Sequence, residues 1–303
     1  MTILSVTHKT VYSYAQPVTF GEHRMMFRPR DSHDLVLLDT SLAIGPVAAT
    51  VRWIHDVFGN SIALAQFDEQ GTELSFTSHF RARHYPIAPQ LVTLESYAER
   101  YPFSYASEEI ADLGRTVERH YSDPEHQIDI WARDFVDGAS GHDTMATLTA
   151  MTTSIHEQFS YSRRVEMGTQ DPVVTLTTRT GTCRDFALLM MEAARSLGFA
   201  ARFVSGYLYD EKLLNTGQGN VVGAGETHAW AQIYLPGAGW VEFDPTNGLI
   251  GGNKLIRVAV ARDPSQAIPL SGSFTGPTGA FLGMTVDVQV TAEPDGAMPL
   301  AVG

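Results

Sequence analysis

Gly181-Thr182-Cys183-Arg184-Asp185-Phe186-Ala187-Leu188-Leu189-Met190-Met191-Glu192-Ala193-Ala194-Arg195-Ser196-Leu197-Gly198 is the stretch from which this chain is best read. Phe186, Ala187, Leu189, Met190, Ala193, Ala194 and Leu197 recur at three- and four-residue spacing. That predicts an amphipathic helix over 183–198, with Gly198 as its stop. Cys183, the single cysteine in 303 residues, stands in its first turn. Free amide hydrogens at a helix N-terminus stabilise a thiolate, which is the reactive form of cysteine. Gly181 lets the chain turn sharply into the helix without a Cβ penalty. The competing reading is an ordinary buried cysteine acting as a small hydrophobe.

The groups that a nucleophilic thiol needs follow downstream. Glu226-Thr227-His228-Ala229-Trp230-Ala231-Gln232-Ile233-Tyr234 alternates as a strand. His228, Trp230, Gln232 and Tyr234 share one face, and Ala229, Ala231 and Ile233 the other. Pro236-Gly237-Ala238-Gly239 turns the chain, and Trp240-Val241-Glu242-Phe243-Asp244 returns it, closed by Pro245. An imidazole takes the thiol proton and passes it to the leaving amine, and a carboxylate orients the imidazole. His228 and Asp244 meet only if the hairpin register sets them on one face. Pairing Leu235 with Trp240 would place Asp244 opposite Ala231, on the wrong face. Pairing Ile233 with Gly239 would place it opposite His228. Pairing Tyr234 with Trp240 would place it opposite Trp230, one same-face step away. Opposite neighbours are about 5 Å apart and diagonal ones about 7–8 Å, so the last two registers both serve. An odd-length hairpin loop or a bulge is therefore expected; a four-residue loop without a bulge would separate the pair.

Gly181-Thr182-Cys183-Arg184-Asp185, His228-Ala229-Trp230 and Phe243-Asp244-Pro245-Thr246-Asn247-Gly248 together resemble the three core motifs of the transglutaminase-like superfamily, which has a papain-like cysteine-protease core. The resemblance is closest to the bacterial branch, in which a β-rich N-terminal domain precedes the core. Phe27-Arg28-Pro29-Arg30 and Trp53 through Phe58-Gly59-Asn60 echo that domain. Arg262-Asp263 and Ile268-Pro269-Leu270-Ser271-Gly272 resemble the branch's C-terminal extension. The resemblance makes Cys183 the nucleophile, His228 the general base and acid, and Asp244 the orienting carboxylate. It implies a cysteine peptidase or amidase that passes through a thioester acyl-enzyme, acts on a peptide or protein substrate, and uses neither cofactor nor metal. A protein-glutamine transglutaminase would use the same three residues with an amine as acceptor. A non-catalytic binding or assembly module of the same fold is the alternative from another class. The Cys183 backbone amide is a natural oxyanion donor. Tyr161 is a candidate hydroxyl donor, and Trp230 a candidate wall of the site; for both, core packing is the competing reading.

The implied fold class is α+β: an N-terminal β-sandwich-like domain, then a transglutaminase-like, papain-like core with helices packed on an antiparallel sheet. Short strands punctuated by Gly, Pro and Asn fill the first 85 residues: Thr10–Tyr14, Leu35–Ile44, Thr50–Ile54, Ser61–Phe67 and Glu73–Arg83. Tyr85-Pro86-Ile87-Ala88-Pro89 reads as a linker. Helices are expected over Leu94–Tyr101, Ser107–His120, Ile128–Val136 and Thr144–Gln158, the last capped by Asp143. Strands are expected over Ala200–Tyr209, His228–Leu235, Trp240–Asp244, Leu255–Ala261 and Met284–Val290. The corresponding division is residues 1–85, a helical lead-in 86–143, the catalytic core 144–250, and C-terminal strands with a loose tail over 251–303.

Thirty-four acidic and 21 basic side chains give a net charge of −13. Between Glu95 and Asp143 stand 12 acidic residues and 4 arginines, which reads as a solvated helical surface. So acidic a chain, with only Lys9, Lys212 and Lys254 as lysines, does not suit nucleic acid. One cysteine excludes an internal disulfide and a thiolate zinc site. No apolar run approaches the roughly 20 residues that span a bilayer. Met1 to Ala15 has no features of a secretory signal, so the expectation is a cytoplasmic protein without membrane partners. The oligomeric state is not legible. Gly217-Gln218-Gly219 with Gly223 and Gly225 lacks the spacing of a phosphate-binding loop and reads as a flexible loop beside the site. Arg28-Pro29-Arg30 reads as a rigid extended segment, with anion binding as the other option.

Overall fold

In the computed structural model the first strand, β1, spans Thr2–Met25, far beyond the expected Thr10–Tyr14. The structure describes residues 2–86, 89–136, 141–163, 168–209 and 227–294. β2 (Leu35–Gly45), β3 (Thr50–His55), β4 (Ser61–Gln66) and β5 (Gln70–His84) complete a path ordered β2-β5-β1-β4-β3. Leu270–Thr275 and Phe281–Pro294 add to β1, giving seven strands in one sheet. Over Thr2–Ser13, β1 pairs with β5 on one edge and with Phe281–Pro294 on the other, both antiparallel. Hydrogen bonds on both edges are what keep so long a strand extended. Its inward side chains (Val18, Phe20, Met25) pack with Leu74 and Phe76 of β5.

The sandwich-like module is thus one continuous antiparallel sheet, and it is not confined to residues 1–85. Residues 251–303 are expected to supply C-terminal strands that complete the fold; two of their strands, Leu270–Thr275 and Phe281–Pro294, join β1. The reason is the second edge of β1, whose backbone groups need partners that residues 1–85 do not supply. The chain divides into one unit of Met1–Pro86, Tyr207–Thr227 and Pro269–Gly303, and a second of Ile87–Gly206 and His228–Ile268.

The second unit holds α1 (Ser107–Leu113), α2 (Gln127–Arg133), α3 (Thr144–Gln158), α4 (Pro172–Thr178) and α5 (Cys183–Ser196). Its five-stranded sheet contains β6 (Ala201–Leu208), β7 (Thr227–Leu235), β8 (Gly239–Asp244), β9 (Leu249–Ile250) and β10 (Leu255–Ala261), ordered β9-β8-β7-β6-β10. α3 has the expected bounds, and Asp143 caps it by accepting from Ala146 N at 2.6 Å. Leu94–Tyr101 is not a helix. Arg100–Tyr101 pairs with His142–Asp143, while Ala98 O and Glu99 O accept from Thr144 at the start of α3. Tertiary hydrogen bonds there replace the helical ones. α1 stops at Leu113, where Gly114 takes φ +51°, rather than running to His120.

α4 was not anticipated. Its two valines and three threonines favour strands, but Asp171 caps it by accepting from Val173 N at 2.9 Å, and Pro172 opens it. α5 is buried on nearly every side, Asp185, Glu192 and Arg195 included. It is a central helix more than an amphipathic one. The loop 217–225, the linker residues 87–88 and the tail beyond 294 lie outside the described residues. Among the described residues no helix is long and apolar enough to cross a membrane.

Candidate active site

Cys183 is the first residue of α5 and is 9% exposed. The turn that places it is fastened by Asp185, whose Oδ2 accepts from Thr182 N (2.8 Å) and Thr182 Oγ1 (2.9 Å), while Oδ1 accepts from Gln170 N (2.6 Å). This is the reach-back half of a capping box. Gly181 serves close packing more than backbone freedom: a Cβ there would stand 2.9 Å from Asp185 Cβ and 3.1 Å from Phe186 Cε1. Arg184 turns away and donates to Pro264 O at 3.3 Å.

The β7–β8 hairpin takes the register with Tyr234 opposite Trp240 and Leu235 opposite Gly239. Three residues, Pro236 to Ala238, form the loop, and Ala238 N donates to Leu235 O at 3.0 Å. Continued by one step, the register sets Asp244 opposite Trp230, diagonal to His228. The side chains close the diagonal: His228 Nε2 and Asp244 Oδ2 are 2.8 Å apart. His228 is 2% exposed and Asp244 not at all.

A carboxylate only accepts, so the bond to Asp244 places the imidazole proton on Nε2. Nδ1 is buried and has no hydrogen bond of ordinary geometry among the described residues. The Cys183 thiol lies close enough to couple to the ring. Contacts of this kind are often long before an acyl group arrives. Burial pulls the His228 pKa down, but the Asp244 charge and hydrogen bond, together with the Cys183 sulfur, outweigh it and hold the imidazolium well above its ordinary value. Burial likewise opposes ionisation of Asp244, and His228, Asn247 and the Thr246 amide overcome it, so its pKa is lowered. Asp244 Oδ1 accepts from Thr246 N (3.0 Å), and Oδ2 also accepts from Asn247 Nδ2 (2.9 Å).

The other two sequence candidates are placed differently. Trp230 is fully buried and stacks on His228, with centroids 5.9 Å apart and planes at 27°. Tyr161 stands beside the Cys183 turn through its backbone: Ser160–Tyr161 pairs in parallel with Thr180–Gly181, and Ser162 N donates to Gly181 O at 2.9 Å.

Two residues were missed as site components. Asn247 bonds Asp244 directly, and its signal was its place three residues after the carboxylate. Glu242 accepts from Trp230 Nε1, from Gln232 Nε2 (2.6 Å) and from Arg257 Nη1 (3.1 Å), so it anchors the ring that lies on His228. Its position on the His228 face of the hairpin could have marked it. Burial raises its pKa, with Arg257 opposing.

Residues 131–245 match the family model described as Transglutaminase-like superfamily, and residues 4–83 that of the Bacterial transglutaminase-like N-terminal region. An uncharacterized protein of Mycobacterium tuberculosis is 28% identical over 303 residues, covering 93% of this chain and 91% of its own. An uncharacterized protein of Mycobacterium leprae is 25% identical over 301 residues, covering 94% and 98%. A protein-glutamine gamma-glutamyltransferase of Pseudomonas aeruginosa is 34% identical over 93 residues, which is 30% of this chain and 14% of that protein. The fold is similar to the crystal structure of "a Putative Cysteine Protease" from Cytophaga hutchinsonii, with a TM-score of 0.69 and 19% identity, covering 95% of this chain and 90% of that one. With the core motifs on α5, β7 and β8 and a β-sheet unit matched ahead of them, the chain belongs to the transglutaminase-like superfamily, in its bacterial form with this N-terminal region.

Proposed function

We propose that the chain is a cysteine-dependent acyl-transfer enzyme, first of all a peptidase or amidase, working through Cys183, His228 and Asp244. The observation that carries this reading is the buried 2.8 Å bond from His228 Nε2 to Asp244, which leaves Nδ1 for the thiol at the start of α5. Asp244 fixes the proton on Nε2, so Nδ1 takes the proton of Cys183. The resulting thiolate attacks the carbonyl carbon of a peptide or carboxamide, and the carbonyl electron pair moves to oxygen. The Cys183 amide at the helix N-terminus is placed to donate to that oxyanion. The tetrahedral intermediate then expels the amine, which takes the proton from His228, and a thioester remains on Cys183. Water, deprotonated by His228, cleaves the thioester and restores the thiol.

An amine in place of water makes the same site a transglutaminase. The local similarity to the Pseudomonas aeruginosa enzyme favours keeping this as the second reading.

Alkylation by iodoacetamide at mildly acidic pH, followed by mass spectrometry, tests the thiol. Cys183 is expected to react at least about 10-fold faster than a free thiol, and His228→Ala to remove that advantage. Equal rates in both proteins would point to the non-catalytic module. A peptide library incubated with and without a primary amine then separates the acceptors: hydrolysed products support the peptidase, and products carrying the amine at low amine concentration support transfer.

A further inference from the structure

The path β2-β5-β1-β4-β3 leaves β2 and β3 at the two ends of the N-terminal sheet, yet these ends line the same cavities. Leu37 of β2 meets Trp53 and Ile54 of β3 in one cavity of about 450 Å³. Leu42 and Ile44 meet Val51 and Trp53 in another of about 450 Å³. Arg28 and Trp53 line both, so the two form one cleft along a seam where the sheet stops short of closing.

All of β3 is exposed, including the apolar side chains of Val51, Trp53 and Ile54. Its register against β4 runs from Thr50↔Gln66 to His55↔Ser61 and continues into the bond from Asp56 N to Asn60 O. Antiparallel ladders alternate, so Thr50, Arg52 and Ile54 direct their backbone groups to β4. Val51, Trp53 and His55 direct theirs outward, as an open sheet edge.

The cleft also carries preset cations. The Arg28 guanidinium lies 6.0 Å from the Trp53 ring centroid. Arg30 Nη1 donates to Phe58 O at 3.3 Å, beside a turn whose φ of +74° at Gly59 favours glycine. Asp56 locks that turn by accepting from Phe58 N, Asn60 N and Asn60 Nδ2 at 2.8–2.9 Å. Asp31 lines the cleft as well, but among the described residues it pairs with neither arginine. In a chain of net charge −13, two guanidinium groups with no carboxylate partner among the described residues flank an exposed tryptophan on an open strand.

We propose that this cleft binds an extended acidic segment of a partner protein. The segment adds to the outer edge of β3 through main-chain hydrogen bonds, sets a carboxylate on Arg28 and Arg30, and lays an apolar side chain on Trp53. A second copy of this chain fits worse, because a two-fold pairing of β3 with itself brings the same arginines together.

The probe is a fluorescein-labelled, end-capped octapeptide of alternating Glu and Val, titrated with the intact chain and read by anisotropy. Its Lys–Val counterpart and a version N-methylated on alternate amides serve as comparisons. The Glu–Val peptide is expected to bind at least about 10-fold more tightly than either, and Arg28→Glu and Trp53→Ala each to weaken it by a similar factor. Equal affinity for the three peptides, or no saturable binding at about 1 mM, overturns the proposal whether or not the variants fold. So does a dimer in sedimentation that Trp53→Glu dissolves, since a second copy would then occupy the edge.

Discussion

Arg195–Glu192 and His228–Asp244 are both buried ion pairs of the second unit, but they are completed differently. Arg195 uses its whole guanidinium: Nη1 donates to Glu192 (2.9 Å), Nη2 to Ala201 O (2.8 Å) and Arg262 O (2.7 Å), and Nε to Thr116 O (3.1 Å). Glu192 accepts in turn from the amides of His120 and Tyr121. That pair is consumed in tying α5 to the segments around it. In the second pair the carboxylate is saturated, whereas the imidazole keeps one nitrogen with no ordinary hydrogen bond. An unsatisfied buried polar atom costs about 1–3 kcal/mol. Beside a thiol it is also a proton acceptor in position.

Removing one member of each pair tests that contrast. Arg195→Met takes the buried guanidinium from Glu192, leaving it only Arg119 Nε at 3.5 Å and the amides of His120 and Tyr121, and should cost about 3–5 kcal/mol in urea unfolding. The alkylation rate of Cys183 in the molecules that remain folded should not change. A loss below about 1 kcal/mol would erase the distinction.

Asp244→Asn keeps the shape but not the charge. The Cys183 alkylation rate at mildly acidic pH should fall about 100-fold, with a smaller stability loss than in Arg195→Met. The dependence on pH is specific. The His228 pKa is raised in the folded chain, so its contribution is complete below its ordinary value of 6.5 and is lost as pH rises through the folded value. The Asp244 pKa is lowered, so its share is complete above 3.8 and is lost as pH falls through the folded value. The stability difference between wild type and Asp244→Asn should therefore peak between about pH 4 and 6.5.

The smallest effect concerns the turn that leads into Cys183. Gly181→Ala forces a Cβ against Asp185 and Phe186, and should cost about 1–3 kcal/mol while slowing alkylation. Unchanged values for both would show that the turn tolerates side chains.

The positions of Cys183, His228 and Asp244 were legible because each is tied to a local pattern: a helix start and two alternating strands. Asp143 and α3 were legible for the same local reason. Asn247 and Glu242 were not, because each acts only through a neighbour from another segment, Asp244 and Trp230 respectively. α4 was hidden by its β-branched composition, and Leu94–Tyr101 was misread because its backbone bonds go to residues some 40 positions away.

Periodicity and local chemistry thus determine the α5 helix with its terminal thiol, the alternating faces of β7 and β8, and the condition of an odd-length loop. Register is a property of two strands, so only the folded hairpin decided for Tyr234 opposite Trp240 over the other permitted pairing. The second edge of β1 likewise demanded hydrogen-bond partners without naming them. Only the tertiary structure showed that they come from the far end of the chain.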